Sequence, residues 1–213
     1  MKLQHSLSWL FIVGILGLSG CNTLPLIAYV AGGTNVPAQF EGLEATRVAV
    51  VCVSDGVSYG SGTESERLAR ETARILAEKV PDIDVVRWSE IADWIDRKGW
   101  DEIDYREVGR GVKADRVVAV DLSRFRVREG TSLFKGRADL TITVFDMNAG
   151  GKEVFRREII EFSFPPNGPY HAAEISEARF SQLYLKVLAD KVAKLFHEYD
   201  VIDEFGTPSA FEG

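Results

Sequence analysis

Cys21 is the residue best placed for covalent chemistry. It follows Leu18-Ser19-Gly20, and an apolar run over positions 7–18 precedes those residues. A thiol beside small residues at the end of such a run sits where a leader peptide is cut. The second cysteine, Cys52, lies inside Val48-Ala49-Val50-Val51-Cys52-Val53. A thiol in that setting packs as a small hydrophobe. A nucleophilic thiol needs a neighbouring base and some exposure, and the sequence offers neither. With Cys21 modified, Cys52 has no disulfide partner.

Other chemistry is thinly represented. Downstream of Cys21 the histidines are His171 and His197, with no HExxH or CxxC, so no metal site is expected. His197 follows Phe196 at the end of a helical pattern and is expected to meet the last carbonyls of that helix. His171, near Glu174, reads as a surface residue. The segment Ser54-Asp55-Gly56-Val57-Ser58-Tyr59-Gly60-Ser61-Gly62 is glycine-rich but carries neither GxxxxGK[ST] nor GxGxxG. It holds no lysine, and Glu64 and Glu66 beyond it would repel an anion. Its glycines read as turn residues, and no cofactor is expected. There is no GxSxG. The acidic stretch Asp101-Glu102-Ile103-Asp104 reads as a solvated face. A glycosidase would need two carboxylates at a set separation, which spacing in sequence does not define. No catalytic residue and no enzyme activity are expected.

The elements around Cys21 are a basic start with Lys2, the short apolar run and a small-residue cut site, which together make a secretory signal over residues 1–20. The apolar run is shorter than the roughly 20 residues a membrane span needs. Leu18-Ser19-Gly20-Cys21 resembles the lipobox of bacterial lipoproteins. That resemblance implies that Cys21 carries acyl chains, palmitate among them, and becomes the new N-terminus. Several chains together anchor a protein stably. Asn22 stands where aspartate would resemble an inner-membrane retention signal, so the outer membrane, on its periplasmic face, is expected.

The net charge is −7, and removing the signal, whose one charged side chain is Lys2, leaves −8. An acidic chain argues against nucleic acid as the main partner and against a polybasic lipid-binding patch. Three cations do cluster: Arg124, Arg126 and Arg128 share a strand parity, which predicts that they point to one side. They read first as edge protection. The sharper alternative is a docking surface for an acidic partner or glycan.

Residues 21–44 hold Pro25, Gly32, Gly33, Pro37 and Gly42 and read as a tether. Its apolar part, residues 24–30, either lies in the membrane interface or docks on the domain. Residues 45–199 read as one mixed α/β domain, in the order β-α-β-α-(α)-β-β-β-α with helices packed on a mixed sheet. Residues 47–53 form a continuous apolar run, as in a strand covered on both faces. Thr63 opens a helix with a capping box to Glu66, and Pro81 closes it. A short strand spans 83–87. Ser89 is expected to cap a helix that Gly99 ends, and Asp104 to cap another turn or two. Strands follow over 116–127, 137–145 and 154–164, with Gly130 and Asn148-Ala149-Gly150-Gly151 in turns. The last helix starts at Ser176. Phe180, Leu183, Tyr184, Leu188, Val192 and Phe196 line one face, and Lys191 is expected on the exposed side. Residues 200–213 read as a loosely ordered tail.

This order, behind a lipobox, resembles a group of bacterial envelope proteins. The group includes the N-terminal domain of the Tol-system propeller protein, TolB, and the lipoprotein of the curli export channel. The penicillin-binding-protein activator lipoprotein and the Pel export lipoprotein are similar. The resemblance rests on Arg47-Val48-Ala49-Val50-Val51, on Val112-Lys113-Ala114-Asp115-Arg116-Val117-Val118, and on the run from Phe145 through Asp146, Asn148 and Gly151 to Val154. It implies a non-catalytic adaptor or accessory subunit in envelope assembly or transport, with envelope proteins as partners. Three alternatives stand beside it: an oligomeric export-pore subunit, an auxiliary lipoprotein of lipid or lipopolysaccharide transport, and an envelope hydrolase without a recognisable motif.

Overall fold

The structure, a computed structural model, describes residues 35–55, 63–99 and 103–200. The signal, Cys21, most of the tether, the glycines at 56–62, Asp101, Glu102 and the tail after Asp200 lie outside the described residues. The chain divides into two units. In the smaller, β1 (Asn35–Val36) and β8 (Tyr199–Asp200) pair antiparallel. The larger unit includes Pro37–Glu198.

In the larger unit β2 (Arg47–Ser54) is the hub. It runs parallel to the two-residue β3 (Asp84–Val85) on one side and to β4 (Arg116–Glu129) on the other. β4 then pairs antiparallel with β5 (Leu133–Asp146), and β5 with β6 (Lys152–Phe164). The sheet order is β3-β2-β4-β5-β6, and the short β7 (Tyr170–His171) pairs with the start of β5. Parallel pairing needs a crossover between strands. α1 (Glu64–Lys79) supplies it from β2 to β3. α2 (Trp88–Lys98) and α3 (Tyr105–Gly111) supply it from β3 to β4. The fold is therefore mixed α/β, as its element order predicts.

Alternation along β2 explains the apolar run. Val48, Val50 and Cys52 face α1 and α4 (Glu177–Ala193), joining Leu68, Leu76, Phe180 and Leu188. Ala49 and Val51 face α2 and α3, joining Ile91, Ile95, Val108 and Val112. Each face of the strand has its own cover. Side chains at successive positions can then all be apolar.

The caps follow the sequence at three helices. Thr63 Oγ1 accepts from the N–H of Glu66, Asp104 from those of Arg106 and Glu107, and Ser176 from that of Arg179. Gly99 closes α2 in the left-handed region at φ 63°, where glycine carries no Cβ penalty. Ser89 does not cap α2. The N–H of Val86 is tied to the carbonyl of Val48 at 2.8 Å, and the chain turns at once, so Arg87 is the cap residue and Trp88 the first helical one. On α4, Lys191 is half-buried rather than exposed, and Lys186 holds an exposed position.

Cys52 is fully buried, and desolvation pushes its thiol well above the ordinary range. The folded protein is expected to resist a thiol reagent that labels it fully after denaturation. Fast labelling of the native thiol would contradict its place in the core.

Candidate functional site

The three stretches that carry the family resemblance come together at one end of the sheet. Asp115, just before β4, takes the backbone N–H of Arg47 on Oδ2 at 2.9 Å and the side-chain amide of Asn148 on Oδ1 at 3.0 Å. Asp146, at the end of β5, takes Arg116 at 2.7 Å on the same oxygen that accepts from the N–H groups of Asn148 and Ala149. Gly150 and Gly151, at φ 74° and 81°, let the chain double back to a bond from the Gly151 N–H to the Asp146 carbonyl. Arg47 also spans to Asp84 at 2.8 Å and Glu90 at 2.9 Å. This cluster locks β2, β3, β4 and the β5–β6 turn in register. Its charges are paired with one another, which suits clamping.

The N–H of Arg47, then the Asn148 amide, hold the Asp115 carboxyl below the ordinary carboxylate value. A carboxyl lowered in the folded state adds stability above its unfolded value of about 4, and that stability drains as pH falls through the folded value. Asp115→Asn should therefore be less stable than wild type at pH 7, with the gap closing in acid. A gap that stays constant down to pH ~3 would contradict the assignment.

The second cluster lies at the far end of β4. Arg124, Arg126 and Arg128 are all exposed. Strict alternation fails along them, because the β4–β5 ladder shifts register between Ser123 and Arg126 and again between Arg126 and Arg128. Arg124 ion-pairs with Asp139. Arg128 ion-pairs with Glu177 of α4 and lies over the Phe134 ring. Arg126 has no ion pair among the described residues and stands directly opposite Arg137, which is bonded to Glu129 at 2.7 Å. Asp139 organises the region. Its Oδ1 takes the N–H of Glu161 at 2.7 Å, and that bond, followed by Arg124, holds its carboxyl below the ordinary value. Arg124 and Glu161 flank it on the neighbouring strands with φ of 52° and 54°. Two bulges thus sit side by side on the strands either side of β5, a place where sheets bend. A pocket of about 40 Å³ lies among Arg124, Arg126, Arg137, Asp139 and Glu161.

A wider depression, about 420 Å³, opens beside Ile103, Asp104, Tyr105 and Arg106. The Tyr105 hydroxyl donates to Asp121 at 2.5 Å, and burial first, then Asp121, raise its pKa. His171 is exposed and donates its backbone N–H to Glu174. His197 is buried, with Nδ1 2.7 Å from the Glu198 carbonyl rather than at the last carbonyls of α4. Among the described residues no group of three or more His, Cys, Asp or Glu is placed to hold a metal. No described helix is long and apolar enough to cross a membrane.

No family model matches this sequence, and no curated protein matches it. Solved structures do. The lipoprotein GNA1162 from Neisseria meningitidis is similar at 11% identity and TM-score 0.44, over 68% of this chain and 97% of that one. The PelC dodecamer from Paraburkholderia phytofirmans is similar at 11% identity and TM-score 0.42, over 76% and 95%. The LpoB C-terminal domain from Salmonella enterica is similar at 17% identity and TM-score 0.35, over 63% and 91%.

Proposed function

We propose that this chain is a lipid-anchored lipoprotein at the periplasmic face of the outer membrane. It works without catalysis, as an adaptor or accessory subunit in envelope assembly or transport. The observation that carries the reading is the sequence Leu18-Ser19-Gly20-Cys21 behind a short apolar run, followed by a domain with its own two-sided core. Cys21 is the anchor, and the domain is what the anchor presents to partners. Arg126, exposed and without an ion pair among the described residues, heads the surface on which an acidic partner would dock, with Arg124 and Arg128 at its sides. Burial of β4 and β5 against α1 and α4 supports this reading over that of a pore subunit. Strands that line a membrane pore turn an apolar face to lipid.

Cys21→Ser is the test. The variant should leave the membrane fraction, or accumulate uncut, while wild type stays membrane-bound. A variant that is processed and retained in the membrane as wild type is would overturn the proposal.

A further inference from the structure

We infer that a second copy of this chain pairs antiparallel with β6 along its open edge, about a two-fold axis at Arg157. β6 ends the sheet, and no described strand pairs with its outer side. The opposite edge strand, β3, is two residues long, while β6 has 13. An edge of that length presents a row of backbone donors and acceptors to any extended partner.

Side chains on β6 say which partner fits. The large apolar residues exposed among the described residues are Val154, at 40%, and Ile160, at 65%, and both are on this strand. Both lie where the β5–β6 ladder shifts register, so each sits at a bulge. Between the bulges, Phe155 to Ile159 pair one-for-one with β5, leaving a straight window centred on Arg157. Of the eight exposed positions on β6 six carry charge, as an edge open to solvent does, and the two that do not, Val154 and Ile160, stand three residues either side of Arg157.

The window is self-complementary about its centre. Two-fold antiparallel pairing at Arg157 sets Val154 opposite Ile160 of the second copy, and Ile160 opposite its Val154. It sets Arg156 opposite Glu158, again twice. Within one chain Arg156 already reaches Glu158 at 3.5 Å on the same side of the strand, so the same charges serve across the axis. Phe155 falls opposite Ile159. A two-fold contact must match one patch to itself, and apolar and opposite-charge pairs directly across a ladder are favourable. Arg157 facing its own copy is the like-charge pair inside this window, and Glu153 facing Glu161 is a like-charge pair just outside it, beyond the bulges. Shifting the centre by one residue, to Arg156 or Glu158, loses both the Val154–Ile160 and the Arg156–Glu158 matches. Of the registers centred on Arg156, Arg157 and Glu158, the one at Arg157 makes both matches.

Cysteine crosslinking of the full chain in membranes tests this, since Cys52 is buried and the thiol of Cys21 carries lipid on the anchoring proposed above, so neither competes. Arg157→Cys meets itself at the axis, where directly opposed Cβ atoms are about 4.5–5.5 Å apart. Under mild oxidation it should run mostly at twice the monomer mass and return to monomer on reduction. Val154→Cys with Ile160→Cys should crosslink as a pair, and neither alone should. Adding Ile160→Lys to Arg157→Cys should abolish the dimer while leaving the thermal melt close to that of the parent. The inference is overturned if Arg157→Cys crosslinks no better than Lys186→Cys on α4, or if Val154→Cys alone dimerises. An adduct of any mass other than twice the monomer, or an Ile160→Lys dimer yield unchanged, overturns it as well.

Discussion

Leu188→Ala is expected to cost about 2–5 kcal/mol and to lower the melting temperature by roughly 5–20 °C. Leu188 is fully buried between the sheet and α1, at the centre of the larger core. Its removal leaves a cavity that neighbouring Val and Leu side chains fill only in part. Lys186→Ala, on the exposed side of the same helix, should change the melt little. The comparison is made on the full chain carrying Cys21→Ser, so that the anchor does not interfere. Equal melts for Leu188→Ala and wild type would mean that the apolar face of α4 serves a partner instead of its own sheet.

Gly136→Val should be as damaging for the opposite reason. A Cβ built on Gly136 would stand 2.5–2.6 Å from three ring atoms of Tyr184, far inside contact distance. The ring cannot yield. Tyr184 is fully buried, stacks on Phe125 at 5.6 Å and donates its hydroxyl to the Phe162 carbonyl at 3.0 Å. Overpacking costs ~1–3 kcal/mol and more where nothing can move. The expected outcome is a melting loss comparable to that of Leu188→Ala. A Tyr184→Ala background should soften the penalty of Gly136→Val. Independent, additive losses would show that the two residues do not share the site.

Gly136 also shows where sequence reading stops. The strand over 137–145 was legible because Ala138, Leu140, Ile142 and Val144 alternate with polar residues. β5 in fact begins at Leu133. Gly136 contributes no side chain to the alternation, and the ring that fills its place comes from α4, some 48 positions later. Caps at Thr63, Asp104 and Ser176 were legible because each bond closes within three residues. The bulges around Asp139 were not. Alternation along one strand cannot count the residues on its neighbours, and the turns at Arg124 and Glu161 exist only against β5. Shared parity of Arg124, Arg126 and Arg128 therefore does not by itself fix which side each faces, because the ladder shifts register on both sides of Arg126. β3 is two residues long, against the five read over 83–87, because the chain turns into α2 at Arg87. In sequence the residues of the Asp115 clamp lie in three separate stretches. That they meet is a long-range fact, carried by bonds spanning 33 and 68 positions.

Anchoring through Cys21 is the claim on which the functional account stands, and the mature N-terminus decides it. Mass spectrometry of protein purified from its own membranes should find an N-terminal peptide that begins at Cys21 and carries acyl chains, with Asn22 next. An unmodified N-terminus, or a chain that begins at any other residue, would contradict the account.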